Sequence, residues 1–424
     1  MSNNLATRSR FVYLSSLRSI VTANLLAVLA FPGGAAASVT GQATATVQYD
    51  SNSNVFDQSA AAQPGTTSTR QSDTYITDAA SFTLDDAIGK QDLFLSGSVD
   101  QYHYSHLRQL DNTGYQIDGG LKWQMNTSFD GRLEASETRA MTSFLDTSST
   151  TLSVQTARRE SAQLNFKIAT DWRLSGSGST QTTEQTQANG PSLRLLDQLG
   201  SLALTYLGFG NFTSGMDVGY ATGRYSGGLV NIEPTYEILP SYQPLSYHQT
   251  SADLTATYRA GGRSTFSGGI GYSNRSSAAE INSSSGVTGN LSFQDQLTPK
   301  TSISISASRA INSYITTASS EFDTSVQTNV NWQATYKLNA SAGYVFTFRQ
   351  FPDQPPIGYP VGTERADIQQ SVVLRLGYQP TRWLSLSAFG NFQTRRSNAA
   401  EDEFNSNEYG VSFTVKAPQK PTRR

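Results

Sequence analysis

Cysteine is absent from the 424 residues. That removes disulfide scaffolds, zinc–cysteine sites, iron–sulfur clusters and lipid attachment to an N-terminal thiol. Charge is scarce at 15%, and 31 Lys and Arg stand against 33 Asp and Glu, so the basic excess of a nucleic-acid binder is missing too. Hydrophobic residues make up only 37% of the chain, and mean hydropathy is −0.39. Such a composition approaches that of a disordered chain. Aromatic residues nevertheless reach 10%, with 20 Tyr and 20 Phe, whereas disordered segments are poor in them.

Long apolar runs are missing as well, apart from one near the N-terminus. Arg8, Arg10 and Arg18 precede the stretch Ile20 to Phe31, and the small residues Ala35, Ala36, Ala37 and Ser38 follow it. A basic region, a short apolar region and an A-x-A site predict a secretory signal peptide, with cleavage after Ala37. The run is shorter than the roughly 20 residues that a spanning helix needs. The expected organisation is a signal peptide at 1–37, one domain at 38–416 and a short basic tail at 417–424.

What the chain does have is alternation. Val326 to Lys337 places apolar residues mostly at every second position with polar residues between, and Tyr115 to Met125, Ser302 to Ala307 and Trp383 to Phe389 repeat the pattern. A period of two puts apolar side chains on one face of a sheet and polar ones on the other. Turn-like breaks recur near 87–90, 126–130, 170–171, 208–211, 260–263, 298–300, 338–339 and 380–381. Longer polar stretches lie between them, including 51–71, 142–152, 225–245 and 351–364. Alternating short and long connections predict a transmembrane antiparallel β-barrel of the outer membrane, with short periplasmic turns and longer outer loops. About 18 strands fit the chain, and 16 to 20 stay open.

In such a barrel the apolar face meets lipid and the polar face lines the interior. Outward residues then include Leu121, Trp123, Phe166, Val218, Leu254, Val330, Trp332, Leu374 and Phe413, while Tyr206, Tyr258, Tyr336, Tyr378 and Trp383 suit interfacial girdles. By parity the interior receives Asp118, Lys122, Arg132, Glu134, Lys167 and Arg173 from the first half of the chain. Asp217, Asp253, Lys337, Arg349 and Arg375 follow from the second half. With Ser, Thr, Asn, Gln and Gly around them, these groups suit a hydrated passage for a neutral or anionic glycan, or else brace a filled interior. Tyr102, Tyr104, Tyr115 and Phe144, near the outer rim, are placed either to stack on sugar rings or to join the girdle.

Specific motifs add a resemblance. The opening strand Thr46 to Phe56 resembles the aromatic-Asp-x-Asn-x-apolar start of β-barrel porins encoded in exopolysaccharide gene clusters. The segment Gly97 to Leu107, with Leu110, Asp111 and Tyr115, is similar to their second hairpin, and Trp123, Gly131, Arg132, Ser143, Phe144 and Arg158 to Glu160 continue it. The resemblance is to the EpsL-type outer-membrane proteins of exosortase-associated polysaccharide clusters. Its motifs lie mainly between Val47 and Arg173; the C-terminal half matches by alternation alone. It implies a role in exopolysaccharide biosynthesis or export across a Gram-negative outer membrane. Expected partners are outer-membrane lipid, polysaccharide, the barrel-assembly machinery and periplasmic polysaccharide-export proteins, with no nucleic acid.

Other constellations carry less. His103 and His106 have the spacing of a metal pair, but a His at a strand end is more often solvated, and no metal or cofactor is expected. Asp50, Asn52 and Asn54 mimic a calcium loop whose sixth and twelfth positions are here Val55 and Ala61 instead of Gly and Glu, so Asn54 is better read as a turn cap. Spacing alone places no hydrolytic triad. The protein is expected not to be an enzyme. A barrel-embedded hydrolase or acyltransferase, and a non-conducting structural barrel, are the alternatives.

Overall fold

The computed structural model describes residues 40–57, 71–144, 150–187, 192–227, 246–277, 283–314, 319–352, 364–399 and 402–417. The expected signal peptide and all but the first residue of the tail lie outside the described residues. Eighteen strands form: β1 (Thr40–Asn52), β2 (Asp73–Ile88), β3 (Gln91–Tyr104), β4 (Asn112–Gln124), β5 (Phe129–Met141) and β6 (Ser153–Ala169). They continue as β7 (Trp172–Gln187), β8 (Leu193–Phe209), β9 (Phe212–Gly227), β10 (Ser246–Ala260), β11 (Ser264–Ser277) and β12 (Ser284–Thr298). The last six are β13 (Thr301–Tyr314), β14 (Ser319–Gln333), β15 (Leu338–Phe351), β16 (Arg365–Thr381), β17 (Leu384–Ser397) and β18 (Phe404–Lys416).

Each strand pairs antiparallel with the next, and β1 also pairs with β18 from Thr44↔Lys416 to Asn52↔Glu408. The sheet is closed. Closure leaves no unpaired edge, which is the condition for strands to cross a bilayer whose core offers no water to the backbone. Short turns join β2–β3, β4–β5 and every later even–odd pair, at the end that also carries Thr40 and Lys416.

Local chemistry sets these turns. Gly89 and Gly210 occupy left-handed backbone at φ 66° and 64°, where a side chain would be strained. The Asn126 carboxamide oxygen accepts from the backbone N–H of Ser128 and Phe129, each at 2.8 Å, and starts β5 earlier than the alternation alone suggests. Two expected turns move. Leu338 and Asn339 belong to β15, because the Thr335 hydroxyl accepts from the N–H of Lys337 (3.2 Å) and Leu338 (3.0 Å) and closes the turn at 334–337. Pro380 and Thr381 stay in β16, where a register irregularity between Tyr378 and Thr381 carries the pairing past the proline.

The ladders fix the two faces. On the outside, Leu254 is 62% exposed, Ile270 64% and Leu291 67%, in the middle of a band that runs round the closed wall. An apolar surface of that extent is incompatible with water. Trp172, Tyr206, Tyr258, Trp332 and Tyr378 edge the band at the short-turn end, and Tyr49, Tyr115, Tyr220, Tyr272 and Tyr409 edge it at the other. From Tyr258 to Thr250, the register neighbour of Tyr220, a strand at the usual tilt climbs roughly 20 Å, close to the apolar band of an outer-membrane barrel. The inner face carries hydroxyl pairs across neighbouring strands: Thr44–Ser81 (2.7 Å), Thr46–Thr414 (2.9 Å), Ser177–Ser201 (2.9 Å) and Ser387–Ser412 (2.6 Å).

Candidate functional site: the lumen and its mouth

Register places ten of the eleven expected interior charges on the polar face. Lys122 neighbours Asp92 and Arg132, Asp118 neighbours Ser96 and Ser136, and Glu134 lies beside Gly120. Lys167 stands opposite Arg173, and Asp217 opposite Asp253. Arg349 lies between Asp323 and Asp367, and Arg375 between Ser341 and Phe389. Lys337 is the exception: it sits in the β14–β15 turn, its ammonium 5.5 Å from the Tyr336 ring, because β15 begins one residue later.

Several of these neighbours repel. Lys122 and Arg132 both approach the Phe94 ring at 5.6 Å, and Arg132 is also bonded to Glu134. Lys167–Arg173 and Asp217–Asp253 are like charges directly across a ladder, with no ion pair to any of the four among the described residues. Opposed like charges are costly in a dry interior and mild in water, where screening is strong. The inner wall is therefore built for a hydrated space.

The long-loop end is partly covered from two sides. On one side Val55, Phe56, Leu107, Leu110 and Phe144, contributed by three connections, pack with Tyr104 into a buried apolar cluster, with Phe56 and Phe144 edge to face at 5.0 Å. Tyr102 and Tyr104 project inward beside Tyr75, while Tyr115 shares the lipid-facing parity of Val99 and belongs to the girdle. Of the four expected rim aromatics, Tyr104 and Phe144 are buried in the cap, and Tyr102 faces the lumen. The cap is pinned by Asp73, whose carboxylate accepts from the N–H of His106 (2.9 Å) and Leu107 (2.7 Å) and meets the His106 ring at 2.9 Å. His106 thus serves the loop, and His103 lies on the outward parity with Ile76. No group of metal-ligating residues converges among the described residues. The cap of that turn is Asn52 and not Asn54 as expected: the Asn52 carboxamide oxygen accepts from the Asn54 N–H at 2.8 Å, because the side chain two residues ahead reaches the turning backbone.

On the other side, a hairpin bends inward. Pairing between β12 and β13 ends at Gly289↔Arg309, whereas β13 and β14 stay paired to Tyr314↔Ser319. Ile311 and Phe322 continue the lipid-facing parity of Ile303 and Val330, yet they are only 6% and 8% exposed. Phe322 packs over Gly286, whose neighbour Ser273 faces the lumen. The Arg275 guanidinium donates to the Asn312 carbonyl (3.2 Å) and the Ser313 hydroxyl (3.1 Å), and Ser313 donates to the Tyr247 hydroxyl (3.1 Å). The upper hairpin therefore lies against the inner wall of β10–β12 and narrows the mouth. Alternation could not show this, because the hairpin keeps its parity while the strand leaves the wall.

Below the cap is a recess of about 460 Å³, lined across six adjacent strands from β3 through β1 and β18 to β16. Its polar groups include Gln48, Asp50, Thr77, Asp100, Arg375 and Glu408, and its rings are Tyr75, Tyr102 and Phe389. Tyr75 donates to Glu408, and Gln48 donates to both oxygens of Asp50 at 2.9 and 3.0 Å. Sequence reasoning named Arg375 and Tyr102 but missed the rest; the inward parity of Asp50, Asp100 and Glu408 was the available signal.

A closed eighteen-strand barrel with an apolar, aromatic-edged exterior and a hydrated, narrowed interior defines a bacterial outer-membrane β-barrel. No family model and no curated protein sequence matches the chain. Among solved structures it is similar to the FrpB iron transporter from Neisseria meningitidis, at 11% identity and a TM-score of 0.48, covering 86% of this chain and 63% of that one. A ferric enterobactin receptor from Pseudomonas aeruginosa gives 9% identity and a TM-score of 0.48, covering 89% and 80%. OccK5 of Pseudomonas aeruginosa gives 12% identity and 0.44, covering 90% and 99%. The chain thus spans less than two thirds of the length of the iron transporter.

Proposed function

We propose that this barrel is a porin-like passage that carries exopolysaccharide across the outer membrane. The observation that carries the passage is the like-charge pair Asp217–Asp253 halfway along the inner wall, which a water-filled lumen tolerates far better than a packed one. Strand number agrees, since barrels of 16–18 strands enclose an aqueous channel. The glycan part of the reading is supported by the resemblance to exopolysaccharide-cluster porins. Residues within the resembling segments, Gln48, Asp50, Asp100 and Tyr102, line the recess. Hydroxyls and amides on the remaining wall exchange hydrogen bonds with sugar at little net cost.

Deleting the gene should remove surface exopolysaccharide while polymer or its precursors accumulate in the periplasm. Unchanged surface glycan in the deletion strain would defeat the export role. The inward hairpin and the apolar cap favour a second reading, a structural barrel of the polysaccharide machinery that does not conduct.

A further inference from the structure

The recess gathers three carboxylates against a single cation. Asp50, Asp100 and Glu408 form no ion pair among the described residues, and Arg375, the one cation lining the recess, is bonded to none of them. Asp50 is fully buried, with the Gln48 amide as its hydrogen-bond donor. Leaving a buried carboxylate with so little compensation costs free energy, which either a proton or an arriving positive group relieves.

A second feature points to an occupant. The Thr77 hydroxyl is buried, at 7% residue exposure, lines the recess and has no hydrogen-bond partner. Thr77 lies between Gln48 and Tyr102 in the ladder, so the idle hydroxyl sits at the centre of the acidic wall. Tyr75, Tyr102 and Phe389 supply ring faces along the recess, and Gly410 keeps the wall open where a side chain would strike Asp50 and Phe389. A chelated metal does not answer this arrangement, because no three metal ligands converge there. Separated carboxylates, an idle hydroxyl and aromatic faces ask for a ring that carries both hydroxyls and a positive charge.

We infer that the recess is a subsite for a saccharide unit bearing a free amine, an amino-sugar ring stacked on Tyr102 with its ammonium toward Asp100, two residues along the same inward face. This rests on the proposed glycan passage and narrows it: the sequence suggested a neutral or anionic glycan, and the recess selects a cationic one and rejects uronic acids. The Tyr75 hydroxyl, by donating to Glu408, holds that carboxylate at the recess wall.

The test is calorimetric titration of the detergent-folded full-length barrel with glucosamine tetramer, its N-acetylated form, galacturonic acid tetramer and spermine. The glucosamine tetramer should bind, with the other three at least roughly tenfold weaker. Asp100→Asn and Tyr102→Ala should each weaken it by about tenfold, and Thr77→Val severalfold, in protein that still shows the heat-modifiable gel shift of a folded barrel. Binding of galacturonate or spermine as tight as that of the glucosamine tetramer, or binding unchanged by all three substitutions, overturns the inference. Bilayer recordings on the same protein keep the two claims apart. A conducting barrel that ignores glucosamine defeats the subsite alone, and a silent barrel that binds it defeats the passage alone.

Discussion

Asp57 lies just beyond β1, where the first long connection packs into the apolar cap. Burial pushes its carboxyl up to about 7, against the lowering effects of a hydrogen bond from Ser406 and the nearby Arg395 charge. A carboxyl raised in this way keeps its proton where the unfolded chain has lost it. Its contribution to cap stability therefore falls as pH rises from about 4 to about 7 and levels off above. Amide exchange at Val55 to Asp57, corrected for intrinsic rate, should be faster at pH 8 than at pH 5, and Asp57→Asn should remove the difference; equal protection at both pH values would contradict this. At Gly410 a Cβ would meet the Asp50 carboxylate and the Phe389 ring. Gly410→Val should destabilise the barrel by about 1–3 kcal/mol, read as a lower urea midpoint. Individual residues were legible where only parity mattered: Asp118 through Arg375 reach the lumen side because strands alternate. Lys337 was not, since a hydroxyl-capped turn decided its place, and Phe144 was not, since its burial depends on Phe56, far away in sequence.

Among the elements, the β13–β14 hairpin is the one whose role departs from its pattern. Its alternation, Ser302 to Ala307, predicts an ordinary wall strand, and the lower part is one. Above Arg309 it leaves β12, and Arg275, Tyr247 and Gly286 receive it. The signal was faint: small inward residues on β11 and β12, such as Gly271, Ser273 and Gly286, leave room without saying for what. Arg275 also stacks on the Tyr247 ring at 4.0 Å, so a single substitution loosens both contacts. Arg275→Ala should free the hairpin and raise single-channel conductance severalfold while leaving the gel shift of the folded barrel intact. Conductance equal to that of the native protein would mean that the hairpin does not limit the passage.

The whole molecule is an apolar band closed on itself around a wet interior, and its fold was the most legible level. Period-two patterning, alternating connection lengths and an even strand count are all local or additive properties of the sequence, so they survive small errors at strand ends. The cargo is another matter, because a lumen is a surface assembled from strands distant in sequence, and the recess needs β1, β3, β16 and β18 side by side. Leu254 sits midway between the two aromatic girdles on the outside, and Ser267 lies on the inner face. Leu254→Arg should cost about 2–4 kcal/mol in urea unfolding from lipid vesicles, whereas Ser267→Arg should cost far less; comparable losses would reverse the assignment of faces. The claim that matters most is that the interior conducts. Recording purified, folded protein in a planar lipid bilayer tests it directly: stepwise conductance that grows in Arg275→Ala is the predicted result. Correctly inserted protein that stays silent both as the native chain and as Arg275→Ala would contradict it.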